Sequence, residues 1–333
     1  MAGVGTGWLG KNGVAPLSQL TGTSADAQDF LENTLHDIAR EVRGRLGQGQ
    51  VASYIPELKK IPLTKFGIAL HTADGIEVAV GDADEPFSIQ SISKAVTLML
   101  ALNRGGDEVW QHVGKEPSGT PFNFLAQLEH EKGIPRNPFV NAGALVVTDY
   151  LMQRVGAVGP LVRDYARVLA DSPGIAINAR VAESEFRTAD KNLAIAHLLK
   201  AHRRIGSGPA ALVQEYCSQC AVEMSCRQLA RLFLPLATGG FSRVVGETIT
   251  TERVARRINA LLMTSGTYDS VGSFAYRVGL PAKSGVGGGI VAIAPRQCSI
   301  AVWSPGLDRF GNSLVGTLAL ELFTQRTKLS VLG

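Results

Sequence analysis

Long apolar runs are missing from this 333-residue chain. The longest, at 95–102 and 142–147, fall far short of the ~20 residues that cross a bilayer, so no membrane partner is expected. The N-terminus has no basic stretch followed by an apolar one, and the expected compartment is the cytoplasm. Charge of one sign is scarce too. Lys and Arg number 33 against 29 Asp and Glu, a net charge of +4, with no dense basic run to hold nucleic acid. The short clusters His202-Arg203-Arg204 and Arg253 with Arg256-Arg257 read as solvated helix faces. Only four cysteines occur, too few to staple a chain of this length. Cys217 and Cys220 have the spacing of a redox or zinc knuckle, but no second pair completes it, so they read as free thiols one helical turn apart. The six histidines form no HxxxH or HExxH pattern, and neither metal nor cofactor is expected.

What is present is a chain that can bury a core. Apolar residues make up 45% of it and charged ones 19%, which excludes wholesale disorder and suits one two-lobed domain or two domains. Residues 1–25, rich in Gly, Ser and Thr, read as an arm. Leu31, Leu35, Ile38 and Val42 recur at helical spacing and predict a helix over 27–46, capped by Ser24 or Asp26. Apolar runs at 66–71 and 76–80 flank Asp74-Gly75 and predict a hairpin. A helix is expected over 91–103, ended by Gly105-Gly106. The middle reads as helical, with candidates at 142–154, 160–169, 192–200, 209–217 and 226–237. Strands return at 274–278, 289–294 and 299–303, with Pro295 turning between the last two, and an amphipathic helix follows over 312–328. The expected fold is therefore α+β. One mostly antiparallel sheet flanked by helices would form an α/β lobe from about 26–106 and 264–333. An all-helical lobe, about 107–263, would be inserted into it, within a single domain of 26–333. A cleft between the lobes is the natural ligand site.

Ser91-Ile92-Ser93-Lys94 places a hydroxyl and an amine three residues apart, on one helix face. A serine attacks only when a base takes its proton, and a lysine can be that base once it is discharged. Lys283, as a second cation in the cleft, would help depress its pKa. Free N–H groups at a helix start can also hold an oxyanion. Ser-x-x-Lys is common by chance, but Lys283-Ser284-Gly285 lies late in the chain, before a predicted strand. An early Ser-x-x-Lys with a late Lys-Thr/Ser-Gly is the pairing of serine β-lactamases and penicillin-binding proteins. Their third element, Ser-x-Asn or Tyr-x-Asn, occurs nowhere. Gly285-Val286-Gly287-Gly288-Gly289 precedes a strand, so it is no dinucleotide fingerprint; it suits a turn or close backbone approach to a ligand.

Longer motifs narrow the reading. Gln90-Ser91-Ile92-Ser93-Lys94, Lys115-Glu116-Pro117-Ser118-Gly119 and Asn137-Pro138-Phe139-Val140-Asn141-Ala142-Gly143-Ala144 resemble the serine-dependent glutaminases. So do Ser184-Glu185 with Asn192, Gly279-Leu280-Pro281-Ala282-Lys283-Ser284-Gly285-Val286, and Trp303-Ser304-Pro305-Gly306-Leu307-Asp308 with Gly311-Asn312-Ser313. The resemblance runs from about residue 51 to 322.

It implies a β-lactamase-like fold, hydrolysis of L-glutamine to L-glutamate and ammonia, and a homo-oligomer. It also implies that Ser91 is the nucleophile, Lys94 its base and Tyr268 a proton-transferring hydroxyl, with Lys283, Ser284 and Gly285 in support. The N–H groups of Ser91 and Val286 would form the oxyanion hole. Tyr54, Asn141, Glu185, Asn192, Tyr216 and Tyr268 would line the substrate site, with Tyr54 closing over the ligand. Glu185 suits the substrate's α-ammonium, and the two asparagines suit its α-carboxylate. Taken singly, each has a plainer reading: Asn141 as a helix cap, Glu185 and Asn192 on an exposed face, the tyrosines as core aromatics with a wet end. A penicillin-recognising acyl-serine protein and a non-catalytic binding protein on the same scaffold are the alternatives.

Overall fold

A computed structural model describes residues 24–119 and 125–332. The expected arm thus lies outside the described residues apart from its last two positions, which begin a helix. Helix α1, Ser24–Val42, buries Leu31, Leu35, Ile38 and Val42 as their spacing predicts. It stops short of 46 because the chain tightens into a 3-10 turn at Arg43–Arg45.

The hairpin follows as strands β1, Gly67–Thr72, and β2, Glu77–Gly81, around an Asp-Gly turn in which Gly75 takes φ +105°. Short β3, Phe87–Ser88, leads through a 3-10 turn at Gln90–Ile92 into α2, Ser93–Gly105. The helical middle comprises α3, Leu125–His130, α4, Asn141–Val155, α5, Val158–Leu169, α6, Ala179–Arg187, α7, Asp190–Ala201, and α8, Pro209–Cys220. Small strands β4, Ala176–Ile177, and β5, Val222–Met224, pair with each other and, through β5, with β3. Helix α9, Cys226–Ala237, starts at a Ser225/Gln228 capping box, two reciprocal bonds that satisfy first-turn donors. The hairpin of β6, Phe241–Ser242, and β7, Glu247–Thr248, leads to α10, Glu252–Ser265. The chain closes with α11, Val271–Val278, β8, Ala282–Ser284, β9, Gly289–Ala294, β10, Cys298–Trp303, and α12, Leu314–Thr327.

One sheet joins both ends of the chain in the order β2-β1-β10-β9-β8, antiparallel throughout. Ile68, Leu70, Ile290, Ile300 and Val302 face α1 and α12; Ala69, Val291, Ile293, Ala301 and Trp303 face the helical core. With both faces covered, β1, β9 and β10 are buried throughout, which explains their unbroken apolar runs. His71 on β1 lies 3.3 Å from Glu77 on β2, and Arg231 of α9 clamps that carboxylate at 2.7 and 2.8 Å.

The strand expected at 274–278 is instead the helix α11. Phe274, Tyr276 and Val278 alternate as a strand would, but Phe274 and Val278 are one turn apart and both buried, while Tyr276 is 91% exposed. A strand would put all three on one face; a helix separates them. Conversely Lys283 and Ser284, expected just before a strand, are themselves in the sheet's edge strand β8.

Candidate active site

The cavity at the junction of sheet and helices, about 460 Å³, is lined by Tyr54, Ser91, Asn141, Glu185, Asn192, Tyr216, Tyr268 and Val286. Every residue expected to line the substrate site is there. These residues come from seven stretches far apart in sequence. Gln90, Thr188, Ala189, Asp190 and Lys191 complete the wall. Lys94, Lys283 and Ser284 do not reach it; they stand behind it, 1% exposed or less.

Ser91 sits in the tight turn between β3 and α2, after Gln90, which takes φ +49°. A non-glycine residue in that region is strained and needs surrounding support. Here the support is visible. Gln90 is buried, and its amide donates to Ser88 Oγ at 2.9 Å and to Glu185 Oε2 at 3.2 Å. The glycine-rich loop presses on the same turn. A Cβ on Gly285 would lie 2.4 Å from the Ile89 carbonyl and 3.3 Å from the Ser91 amide, and one on Gly287 would lie 2.2 Å from the Ser88 carbonyl. These two glycines thus allow a close approach of the loop to the turn that carries Ser91. Trp303 locks the loop by donating to the Gly287 carbonyl at 3.0 Å and stacking on Phe87, centroids 5.0 Å apart.

Lys94 follows Ser91 by one turn. Its Nζ donates to the Phe139 carbonyl at 3.1 Å and to Asn141 Oδ1 at 2.7 Å. Burial takes its pKa down to about 8, while Cys220 and Glu185 nearby pull the other way. Lys283 stands near enough to feel the same amine. Burial and then the charge of Lys94 push Lys283 itself well below the usual lysine range, and it donates to the Gly266 and Ser284 carbonyls at 2.9 and 2.8 Å. Asn141 is the first residue of α4, not its cap; its Nδ2 donates to Asn192 Oδ1 at 2.9 Å. The missing Ser/Tyr-x-Asn element thus has a counterpart in Phe139-Val140-Asn141, which supplies both acceptors of Lys94. Its signal was an asparagine two residues after an aromatic.

Glu185, on α6, is 8% exposed and not on an open face. Burial pushes its carboxyl up to about 7, against the pull of the Gln90 bond and of Lys94. Tyr216 and Cys220 stand one turn apart on α8, hydroxyl beside thiol, and burial raises both. Tyr268, at φ +53°, has its hydroxyl beside those of Ser91 and Ser284, and Lys283 Nζ lies 4.7 Å from its ring centroid. Burial raises its phenol, and the two serines lower it. Tyr54 stands at the mouth, 56% exposed. Ser93, wholly buried, turns away toward Cys220, 3.9 Å from its sulfur. All four thiols are free, buried and raised in pKa by that burial, as two inert thiols in the CxxC stretch would be.

The family model that matches this chain, Glutaminase, spans residues 49–332. A glutaminase of Caulobacter vibrioides is 58% identical over 302 residues, 91% of this chain and 98% of that protein. The thermolabile glutaminase of Rhizobium etli is 51% identical over 306 residues, 91% and 99% of the two chains. Among solved structures, the probable glutaminase ybaS superposes with a TM-score of 0.85 at 34% identity, covering 91% of this chain and 98% of its own. The Bacillus subtilis glutaminase YbgJ, in covalent complex with 5-oxo-L-norleucine formed from 6-diazo-5-oxo-L-norleucine, gives 0.80 at 31%, covering 90% and 99%. The fold is thus the expected β-lactamase-like one, and the chain belongs to the glutaminase family.

Proposed function

We propose that this glutaminase hydrolyses L-glutamine to L-glutamate and ammonia through an acyl-enzyme on Ser91, with Lys94 as its base. The observation that carries the reading is the bonding of Lys94. A neutral amine has two N–H groups, and both have an acceptor, in Phe139 and Asn141. The lone pair is then left for the Ser91 proton, and a pKa of about 8 makes that neutral form available near neutrality. Ser91 Oγ attacks the carboxamide carbon while the Ser91 and Val286 amides receive the oxyanion. Tyr268, beside Ser91, passes the proton that lets ammonia leave. Water then attacks the acyl carbon, and the carbon–Oγ bond breaks. Lys283 and Ser284 hold Tyr268 from behind.

Glu185 receives the α-ammonium, Asn141 and Asn192 the α-carboxylate, Tyr216 packs along the chain of the substrate, and Tyr54 closes the mouth. The cleft lies within one domain of two lobes. Cytoplasmic residence belongs to the same reading and is supported by four free thiols. So does a homo-oligomer, for which exposed Tyr276, Val331 and Leu332 offer apolar surface. No helix among the described residues is long and apolar enough to cross a membrane.

The diazo ketone that forms the YbgJ adduct is the direct probe. Mass spectrometry should place a single adduct on Ser91, and Ser91→Ala should abolish both adduct and ammonia release, a loss of several powers of ten, while Ser93→Ala keeps both. Turnover by a folded Ser91→Ala variant refutes the assignment.

A further inference from the structure

We propose that the ammonia released at Ser91 leaves through a second cavity on the far side of Tyr268, separate from the mouth by which glutamine enters. This rests on the acyl-Ser91 reading above. The second cavity, about 330 Å³, is lined by Phe139, Val140, Thr264, Asp269 and Val271, among others, and by Tyr268. Among the described residues that line it, Arg136, Thr264 and Asp269 are exposed. Among the described residues, Tyr268 is the one side chain that lines both cavities, so its ring stands between the reacting centre and the second cavity.

The chemistry places the leaving group on that side. The α-groups of the substrate point to Glu185 and Asn192, the mouth is closed by Tyr54, and the Tyr268 hydroxyl stands beside Ser91. Once the acyl-enzyme forms, the glutamyl chain fills the first cavity between Ser91 and the mouth. Ammonia would have to pass the chain it has just left. It emerges instead next to Tyr268, and a molecule of its size needs only a brief displacement of the ring. Gly311 leaves room for that movement: a Cβ there would lie 3.7 Å from Tyr268 Cε2, in contact with the ring edge. Apolar Phe139, Val140 and Val271 make up part of the wall, so ammonia crosses it as the neutral molecule, and the charged groups of Arg136 and Asp269 line the cavity farther out, where they are exposed.

A small amine entering by the same route reports on it. Hydroxylamine bonds the acyl carbon through nitrogen, the carbon–Oγ bond of Ser91 breaks, a proton passes from nitrogen to Oγ, and γ-glutamyl hydroxamate is formed in place of glutamate. Thr264→Trp and Val271→Trp each fill the second cavity from exposed or half-buried positions. Each should lower the ratio of hydroxamate to glutamate about fivefold or more, as gating of a passage does. Thr264→Ala should leave the ratio at the wild-type value. The inhibition constant of glutamate, which uses the mouth, should stay within about twofold in all three, because ground-state binding is untouched. A ratio unchanged in either folded tryptophan variant overturns the proposal, as does a fall matched by an equal loss of glutamate binding. Ammonia release and hydroxamate formation by the wild type test the acyl-Ser91 reading separately; if the wild type forms no hydroxamate, both readings fall.

Discussion

Lys94 donates to two neutral oxygens and to no carboxylate, and that choice of partners sets its usefulness. Activity should rise with pH as Lys94 loses its proton, so kcat/KM should climb through about pH 8. Asn141→Asp puts an anion in place of the Oδ1 acceptor, holds Lys94 protonated, and should move that limb up by about one pH unit or more. A pH–rate profile of the variant that overlays the wild type refutes the role of Asn141. Glu185 makes a second, independent prediction. Its loss leaves the substrate ammonium without an anion, which costs about 2–5 kcal/mol for a desolvated charge pair. Glu185→Gln should therefore narrow the preference for glutamine over an analogue without the α-amino group, read from kcat/KM on both. At this scale much of the cavity lining was legible, because Ser91, Asn141, Glu185, Asn192 and Val286 sit inside the longer motifs. Gln90 was missed although it stood in the quoted Gln90-Ser91 string. A buried amide with two acceptors is invisible until Ser88 and Glu185 are brought beside it.

Elements carried by a strong period were legible, and elements shaped by the site were not. Helix α9, strand β9 and the β1–β2 hairpin follow their apolar spacing closely. Helix α12 forms where it was expected but is not amphipathic, because Leu314, Val315, Leu318, Leu320 and Phe323 put apolar groups all round it. Helix α6 escaped notice because only Val181 and Glu185 among its residues are buried. A helix that faces a polar cavity needs little apolar stripe, so function erased the pattern that would have betrayed it. The glycine-rich loop was noticed for a close backbone approach, and Gly285 and Gly287 make one to the turn that carries Ser91. Its pressing on the Ser91 turn gives a third prediction. Gly285→Ala drives a methyl into the Ile89 carbonyl and must move the loop away from the Ser91 amide. Displacing an oxyanion donor costs about 10²–10³ in kcat, so circular dichroism should stay near wild type while turnover falls by that order. A variant that is both folded and fully active would show that the loop plays no part in holding the oxyanion.

For the whole molecule, acid should loosen the union of the sheet with the helices on its inner face. His71, near the end of β1, takes part in that union and feels the charges of Glu77 and Asp74 and of Arg231 and Arg243. Burial holds its pKa below the ordinary value of about 6.5, which it regains on unfolding. Between those two values the unfolded chain binds the extra proton, so stability is full above about pH 6.5 and is lost as pH falls toward the folded value. The melting temperature should drop between pH 7 and 5, and His71→Leu should flatten that part of the curve; an identical slope would acquit His71. The burial of all four thiols has a consequence of a different kind. Alkylating reagents can reach these sulfurs only when the chain opens, so their labelling rate measures how often each region breathes. Cys298 lies in β10, Cys217 and Cys220 on α8, and Cys226 at the start of α9. Without any engineering, the enzyme carries reporters of local opening in its sheet and in two of its helices. A label needed for spectroscopy can be added through one new surface cysteine without competition from the natural ones.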